Sequence, residues 1–245
     1  MLKKIIIDSQ LYVALMGTLL ATFFMLEEGS FRFPTFFLIF VTYFNGYIYT
    51  KYQGVSFFNK ILIINSIIAL ISISLIFHNH NAHRFYKWMT ISFLGLLYNS
   101  QFLSTTIRKI PLLKGLYVGI VWGLVNGWLS FHYFSFSIFL MTLLFITALI
   151  LPFDIRDVDT DSIVTFPQLI GIKKTKYLAY GMLISAAVLS IIYLKEQYAI
   201  AFVLTCFISM IFVFFTEKDN PDLYFSFGVE TCPCLPFVIW SIFLK

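Results

Sequence analysis

The chain has 245 residues, of which hydrophobic types make up 60% and charged types only 12%; its formal net charge is +5 and its mean hydropathy +0.88. Soluble domains run near a quarter charged, so a water-soluble globular domain of this length is excluded. The apolar residues fall into runs of roughly 17–21 separated by short polar breaks, the length that crosses a hydrocarbon core, and an all-α polytopic membrane bundle follows.

Nine runs are predicted as spans, at about 10–26, 33–50, 58–77, 86–104, 113–131, 135–152, 177–194, 198–216 and 223–243, in a single domain over residues 1–245. The first follows Lys3 and Lys4 and ends at Glu27 and Glu28 without a small-x-small cleavage site, so it reads as a retained span and not a leader. The second ends near Asn45, Tyr49 and Lys51. Between the third and fourth lies HNHNAHR, residues 78–84, with His78, His80 and His83. No carboxylate or cysteine accompanies these imidazoles, and a polar turn accounts for them better than a metal site. The segment before the fifth span, YNSQFLSTTIRKIPLLKG over 98–115, supplies Arg108, Lys109 and Lys114.

The sixth span runs into the acid-rich stretch 154–161. Asp154, Asp157 and Asp161 are spaced i, i+3, i+7, which on a continued helix places them on one face with Asp159 pointing away. Aligned carboxylates at the water-facing end of a span suit Mg²⁺ held against a phosphate-bearing substrate. Arg108 and Lys114 are the donors expected to grip phosphate oxygens. In the ninth span Pro233 and Pro236 predict a kink, and Cys232 and Cys234 are too sparse for a four-ligand zinc site. Glu230 lies about seven positions into that span, where an unpaired carboxylate is costly, so it is expected to face an acceptor, a cavity or a partner.

With nine spans, twelve Lys and Arg fall on the side of the N-terminus and five on the other. The positive-inside rule then places the N-terminus in the cytoplasm. The basic balance reads as orientation and attraction to anionic membrane lipid, with no nucleic acid as partner.

Two segments resemble the UbiA superfamily of intramembrane prenyltransferases. DIRDVDTDSIVTFPQLIG, residues 154–171, is similar to that family's second aspartate-rich motif, DxxDxxxD. LYNSQFLSTTIRKIPLLKGLYVGIVWG, residues 97–123, is similar to its segment between helices four and five. The resemblance implies a UbiA-like bundle of nine helices and transfer of an isoprenoid chain from a prenyl diphosphate to an aromatic or other hydrophobic acceptor. It also implies Mg²⁺ on Asp154, Asp157 and Asp161, and diphosphate contacts from Arg108 and Lys114; Asn45 and Lys51 are added as diphosphate candidates on their position alone. Glu230 and Tyr98 are the residues expected at the acceptor or cavity.

The family's first motif, NDxxDxxxD, departs here: the matching positions are Asn45, Gly46, Tyr49 and Gln53, so the asparagine stays and all three carboxylates are lost. Lys51 is expected to put a fixed positive charge where an ion is missing. The alternative is a non-catalytic relative of the same fold that binds a prenyl lipid or quinone. A transporter fits less well, since Glu230 is the charge clearly inside the spans and paired interrupted helices are lacking. A bacterial plasma membrane location, with no obligate protein partner, completes the expectation.

Overall fold

A computed structural model of the chain describes residues 10–98, 112–161 and 163–244. Among them are ten helical segments, which we label in chain order. They are α1 (Leu11–Glu27), α2 (Phe33–Lys51), α3 (Phe58–His78), α4 (Ala82–Tyr98) and α5 (Leu113–Leu124), which continues as a π turn over Val125–Leu129. Next come α6 (Phe136–Arg156), a short α7 (Phe166–Ile170), α8 (Ile172–Tyr193), α9 (Glu196–Phe215) and a last rod, Tyr224–Leu244, that contains α10 (Leu235–Ile239). Five rods, α3, α6, α8, α9 and the last, are long and apolar enough to cross a membrane, and α1 is a shorter apolar helix. The all-helical bundle expected from the apolar runs is the fold observed, and the chain is an integral membrane protein.

Sequence neighbours pack as spatial neighbours: α1 on α2, α2 on α3 and α4, α5 on α6, α6 on α8, α8 on α9 and α9 on α10. The last rod returns to α1, which closes the ring. In the bundle interior, Phe23 and Phe24 of α1, Phe145 of α6 and Phe202 of α9 are fully buried, with Phe145 and Phe202 ring centroids 5.3 Å apart. The outward faces carry the opposite pattern. Ile63, Ile67, Leu70 and Ile71 of α3 are exposed, as a lipid-facing helix requires.

The closest approach is between α5 and α6. Gly119, Gly123 and Gly127 recur every fourth residue on α5 and its π turn, and each meets α6 or the residue just before it. A β-carbon on Gly123 would lie 2.8 Å from the Phe139 ring, and one on Gly127 2.8 Å from the Ser135 carbonyl oxygen. Small residues at this spacing let helix backbones touch where lipid supplies no hydrophobic drive. Asn126 donates its amide to the Trp122 carbonyl at 3.0 Å, and that competition with the helix ladder coincides with the switch to π geometry.

Two irregular rods depart from simple spans. Pro152 lies inside α6, two residues before Asp154, and removes one rung of the ladder. In the last rod the kink predicted at the prolines takes the form of a 3-10 turn, Cys232–Cys234, between π and α segments. All three cysteines are free.

Candidate functional site

The acid-rich stretch leaves the sixth rod instead of extending it. α6 stops at Arg156, and Asp157 caps it with its N–H on the Phe153 carbonyl. The N–H groups of Thr160 and Asp161 then both turn back to the Asp157 carbonyl, at 3.0 and 2.8 Å. Asp and Thr in a row favour such local bonding over helix. The expectation of three aspartates on one helical face is therefore corrected: Asp154 alone stands on α6, while Asp157 and Asp161 belong to a turn.

Gln168 holds that turn in shape. Its amide nitrogen donates to the carbonyls of Val158, at 2.8 Å, and Asp161, at 3.1 Å, while its oxygen accepts the Thr165 N–H at 3.1 Å. Just beyond, the Leu112 N–H donates to the Val164 carbonyl at 3.2 Å, which ties the start of α5 to the same loop. Lys114, in the first turn of α5, is thereby set against the acids. Its Nζ lies 2.9 Å from Asp161 Oδ2 and 3.4 Å from Asp154 Oδ1.

Asp154 is 2% exposed, and its Oδ1 accepts no hydrogen bond among the described residues. Lys114 is close enough for ion pairing with that oxygen but bonds to Asp161 instead. A buried carboxylate oxygen short of a donor is uncommon and calls for a ligand or an explanation. Asp154 and Asp161 converge from a helix and a loop on one ammonium. Two carboxylates, completed by phosphate oxygens and water, form a donor set suited to a hard divalent cation.

Asp157 is engaged elsewhere. Arg156 Nε donates to its Oδ1 at 2.7 Å and the terminal guanidinium nitrogen to its Oδ2 at 2.9 Å, a two-point grip. The guanidinium also stacks over the rings of Phe153 and Phe225, at 5.4 and 5.2 Å, and lies in the field of Asp222 and Glu230. Arg156, read from sequence only as an orientation charge, is thus a junction between α6 and the last rod. An arginine beside an aspartate and three positions beyond a proline–phenylalanine pair, Pro152 and Phe153, was the available signal.

Glu230 lies in the electrostatic fields of Lys51 and Arg156. Asn45 sits on α2 with its Oδ1 buried and unpartnered among the described residues, while its carbonyl accepts the Asn65 amide at 3.4 Å. Asn65 was not singled out from sequence; its own Oδ1 is buried and unpartnered as well. Arg108 lies outside the described residues, as does the side chain of Tyr98, whose backbone ends α4. Among the described residues no three of His, Cys, Asp and Glu gather in a metal-holding group, the outer histidines included.

No protein-family model matches the chain, and no curated protein does. Among solved structures it is similar to a digeranylgeranylglyceryl phosphate synthase studied in membranes, at 16% identity and a TM-score of 0.57, over 97% of this chain and 95% of that one. At that identity the likeness concerns architecture. The chain shares, along nearly its whole length, the helical bundle of that synthase, with the Asp154, Asp161 and Lys114 cluster at one end of it.

Proposed function

We propose that this protein is an intramembrane prenyltransferase that takes an isoprenoid diphosphate as donor and a hydrophobic, aromatic or lipid, acceptor. The observation that carries the reading is the under-satisfied buried Asp154 meeting Asp161 and Lys114, at the end of a bundle shared with a synthase named for its geranylgeranyl product. Asp154 and Asp161 would hold Mg²⁺, whose charge, when bound, stabilises the leaving diphosphate. Asp157 is assigned a different role from the one the resemblance implies: it orients Arg156.

The chain's own residues then divide the work. Lys114 and Arg156 place fixed positive charge where the diphosphate gains negative charge as its bond to the allylic carbon breaks. Phe153 and Phe225 stack on the Arg156 guanidinium and keep water from it, which holds that charge in place. The acceptor's nucleophilic atom forms the new bond to the allylic carbon, and its proton is lost. Glu230, in the fields of Lys51 and Arg156, is the carboxylate assigned to contact the acceptor. The basic-residue asymmetry supports a cytoplasmic site and N-terminus, and the resemblance to the prenyltransferase family suggests a bacterial plasma membrane.

The test is thermal stability of detergent-purified protein with geranylgeranyl diphosphate, with and without Mg²⁺, in wild type and Asp154→Asn. A Mg²⁺-dependent rise in melting temperature that the substitution removes supports donor binding, and product assays over candidate acceptors follow. No rise across several prenyl lengths refutes it. One observation favours a second reading. The positions Asn45, Gly46, Tyr49 and Gln53 bring no acid to the site, and donor binding without product over all acceptors would identify a non-catalytic lipid-binding relative.

A further inference from the structure

Of the five basic residues on the side opposite the N-terminus, Lys245 lies outside the described residues and two others have partners that account for them. Lys195 pairs with the buried Glu27. Lys87 is buried, and its ammonium donates to the carbonyls of Trp128, Phe131 and His132 at 3.3, 2.9 and 2.7 Å. Arg32 and Arg84 are left, and among the described residues neither forms an ion pair with a carboxylate. Arg84, half-buried in the first turn of α4, donates from Nη1 to the hydroxyl of Thr35, itself buried in the first turn of α2. That bond goes to a neutral oxygen. It also sets the guanidinium beside Arg32, whose carbonyl accepts the Thr35 N–H at 3.0 Å.

Like charges are thus gathered at one point. Arg84 lies in the field of Arg32, and Lys87 in the field of Arg84, while the first turn of α2 carries no acid to offset them. A partly desolvated guanidinium facing another cation is costly, and an anion shared between the two would offset the repulsion. The surroundings say which anion. Phe31 and Phe33, on either side of Arg32, and Tyr86, two residues beyond Arg84, are exposed. Exposed rings at the ends of membrane helices lie at headgroup level, where the available anion is a lipid phosphate. Phosphate oxygens match the planar fork of arginine.

We propose that Arg32 and Arg84 form a seat for the phosphate of an anionic phospholipid, which bridges the starts of α2 and α4. The seat is separate from the acidic cluster. Lys87 ties it to Trp128, which lies about 21 Å along the axis of α5 and its π turn from Lys114, at 1.5 Å per residue. The proposal therefore stands or falls apart from the prenyltransferase reading.

Native mass spectrometry of the detergent-purified protein, titrated with dioleoylphosphatidylglycerol or dioleoylphosphatidylcholine, tests it through the affinity of the first lipid bound. Phosphatidylglycerol is expected to bind several times more tightly. Arg32→Gln is expected to weaken its binding about fivefold, the weight of one basic residue at an anionic surface. Arg84→Gln is expected to weaken it roughly tenfold, since a charge-assisted hydrogen bond from a half-buried group is lost as well. Arg32 is exposed, so its variant keeps the test valid even where loss of the Thr35 bond unfolds the other. Lys173→Gln, on the side of the N-terminus, is expected to bind as wild type. Equal affinity for the two lipids, or an Arg32→Gln protein that binds phosphatidylglycerol like wild type, overturns the proposal. Inorganic phosphate added in place of lipid is expected to leave the melting temperature unchanged. A rise that Arg84→Gln removes would make a soluble anion the occupant and overturn the lipid.

Discussion

Gly119→Ala tests whether the glycine face of α5 sets the geometry of the acidic site. A β-carbon there would lie 2.3 Å from Thr147 Oγ1 and 2.9 Å from the Leu143 carbonyl oxygen. The threonine hydroxyl can rotate away, but the carbonyl belongs to the α6 backbone. Restoring an ordinary contact of 3.4 Å to it needs α5 to retreat by about 0.5 Å, the difference between 3.4 and 2.9 Å. Overpacking of this kind costs about 1–3 kcal/mol, offset by about 1 kcal/mol for the better helix propensity of alanine.

Lys114 lies five residues, about 7.5 Å along the axis, from the point of strain. The same retreat carries its Nζ from 3.4 Å toward the limit of ion pairing with Asp154. Melting in detergent is expected to fall by a few degrees, at about 2–4 °C per kcal/mol for a chain of this size. Thr147→Ala in the same chain should recover only part of the loss, because the Leu143 contact remains. Gly181→Ala on α8, where a β-carbon meets nothing within 4 Å, is the control and should hold or raise stability. A Gly119→Ala protein as stable as Gly181→Ala would refute the claim that backbone contact fixes α5 on α6.

Three further outcomes are expected. Gln168→Ala removes the ties to Val158, Asp161 and Thr165 and should weaken binding of Mn²⁺, titrated as the paramagnetic stand-in for Mg²⁺, severalfold while lowering the melting temperature only slightly, since the side chain is exposed. Asp157→Asn should leave Mn²⁺ affinity close to wild type where Asp154→Asn abolishes it, because both Asp157 oxygens are given to Arg156; equal losses in the titration would restore the three-aspartate arrangement. Glu27→Gln, at the opposite end, loses the pairing of a buried carboxylate with Lys195 and should lower the melting temperature without any change in Mn²⁺ affinity.

The bundle was legible because bilayer thickness and backbone satisfaction leave helical spans a narrow range of lengths. The start of α5 at Leu113 and the end of α3 at His78 fall within a residue of the apolar boundaries. α8 begins at Ile172, five residues before the apolar run, because Lys173, Lys174 and Lys176 are tolerated in the first turns of a helix that leaves the membrane surface. The Lys176 ammonium reaches the Phe214 carbonyl at 2.8 Å and caps the neighbouring α9. The glycine face of α5 was open to reading from its four-residue repeat. Its partner was not, since spacing on one helix does not say which neighbour will press against it.

The site was half legible for a related reason. Residue type singled out Asp154, Asp161 and Lys114, but helical periodicity gave the wrong grouping, because it holds only where a helix continues. Past Arg156 the turn residues bond to one another, and from there long-range contacts decide which acid meets which cation. The outcome is a set of pairings: Lys114 with Asp154 and Asp161, Arg156 with Asp157, and Glu230 in the fields of Lys51 and Arg156. Such pairings bear on the missing acids at Asn45, Gly46, Tyr49 and Gln53. Acids there would have needed cations of their own to be tolerated at the edge of an apolar bundle. Without them, Glu230 lies in the fields of Lys51 and Arg156, and Asp154 keeps one buried oxygen without a hydrogen bond among the described residues. That oxygen, local to Asp154, is where a divalent ion and a diphosphate would together complete the site.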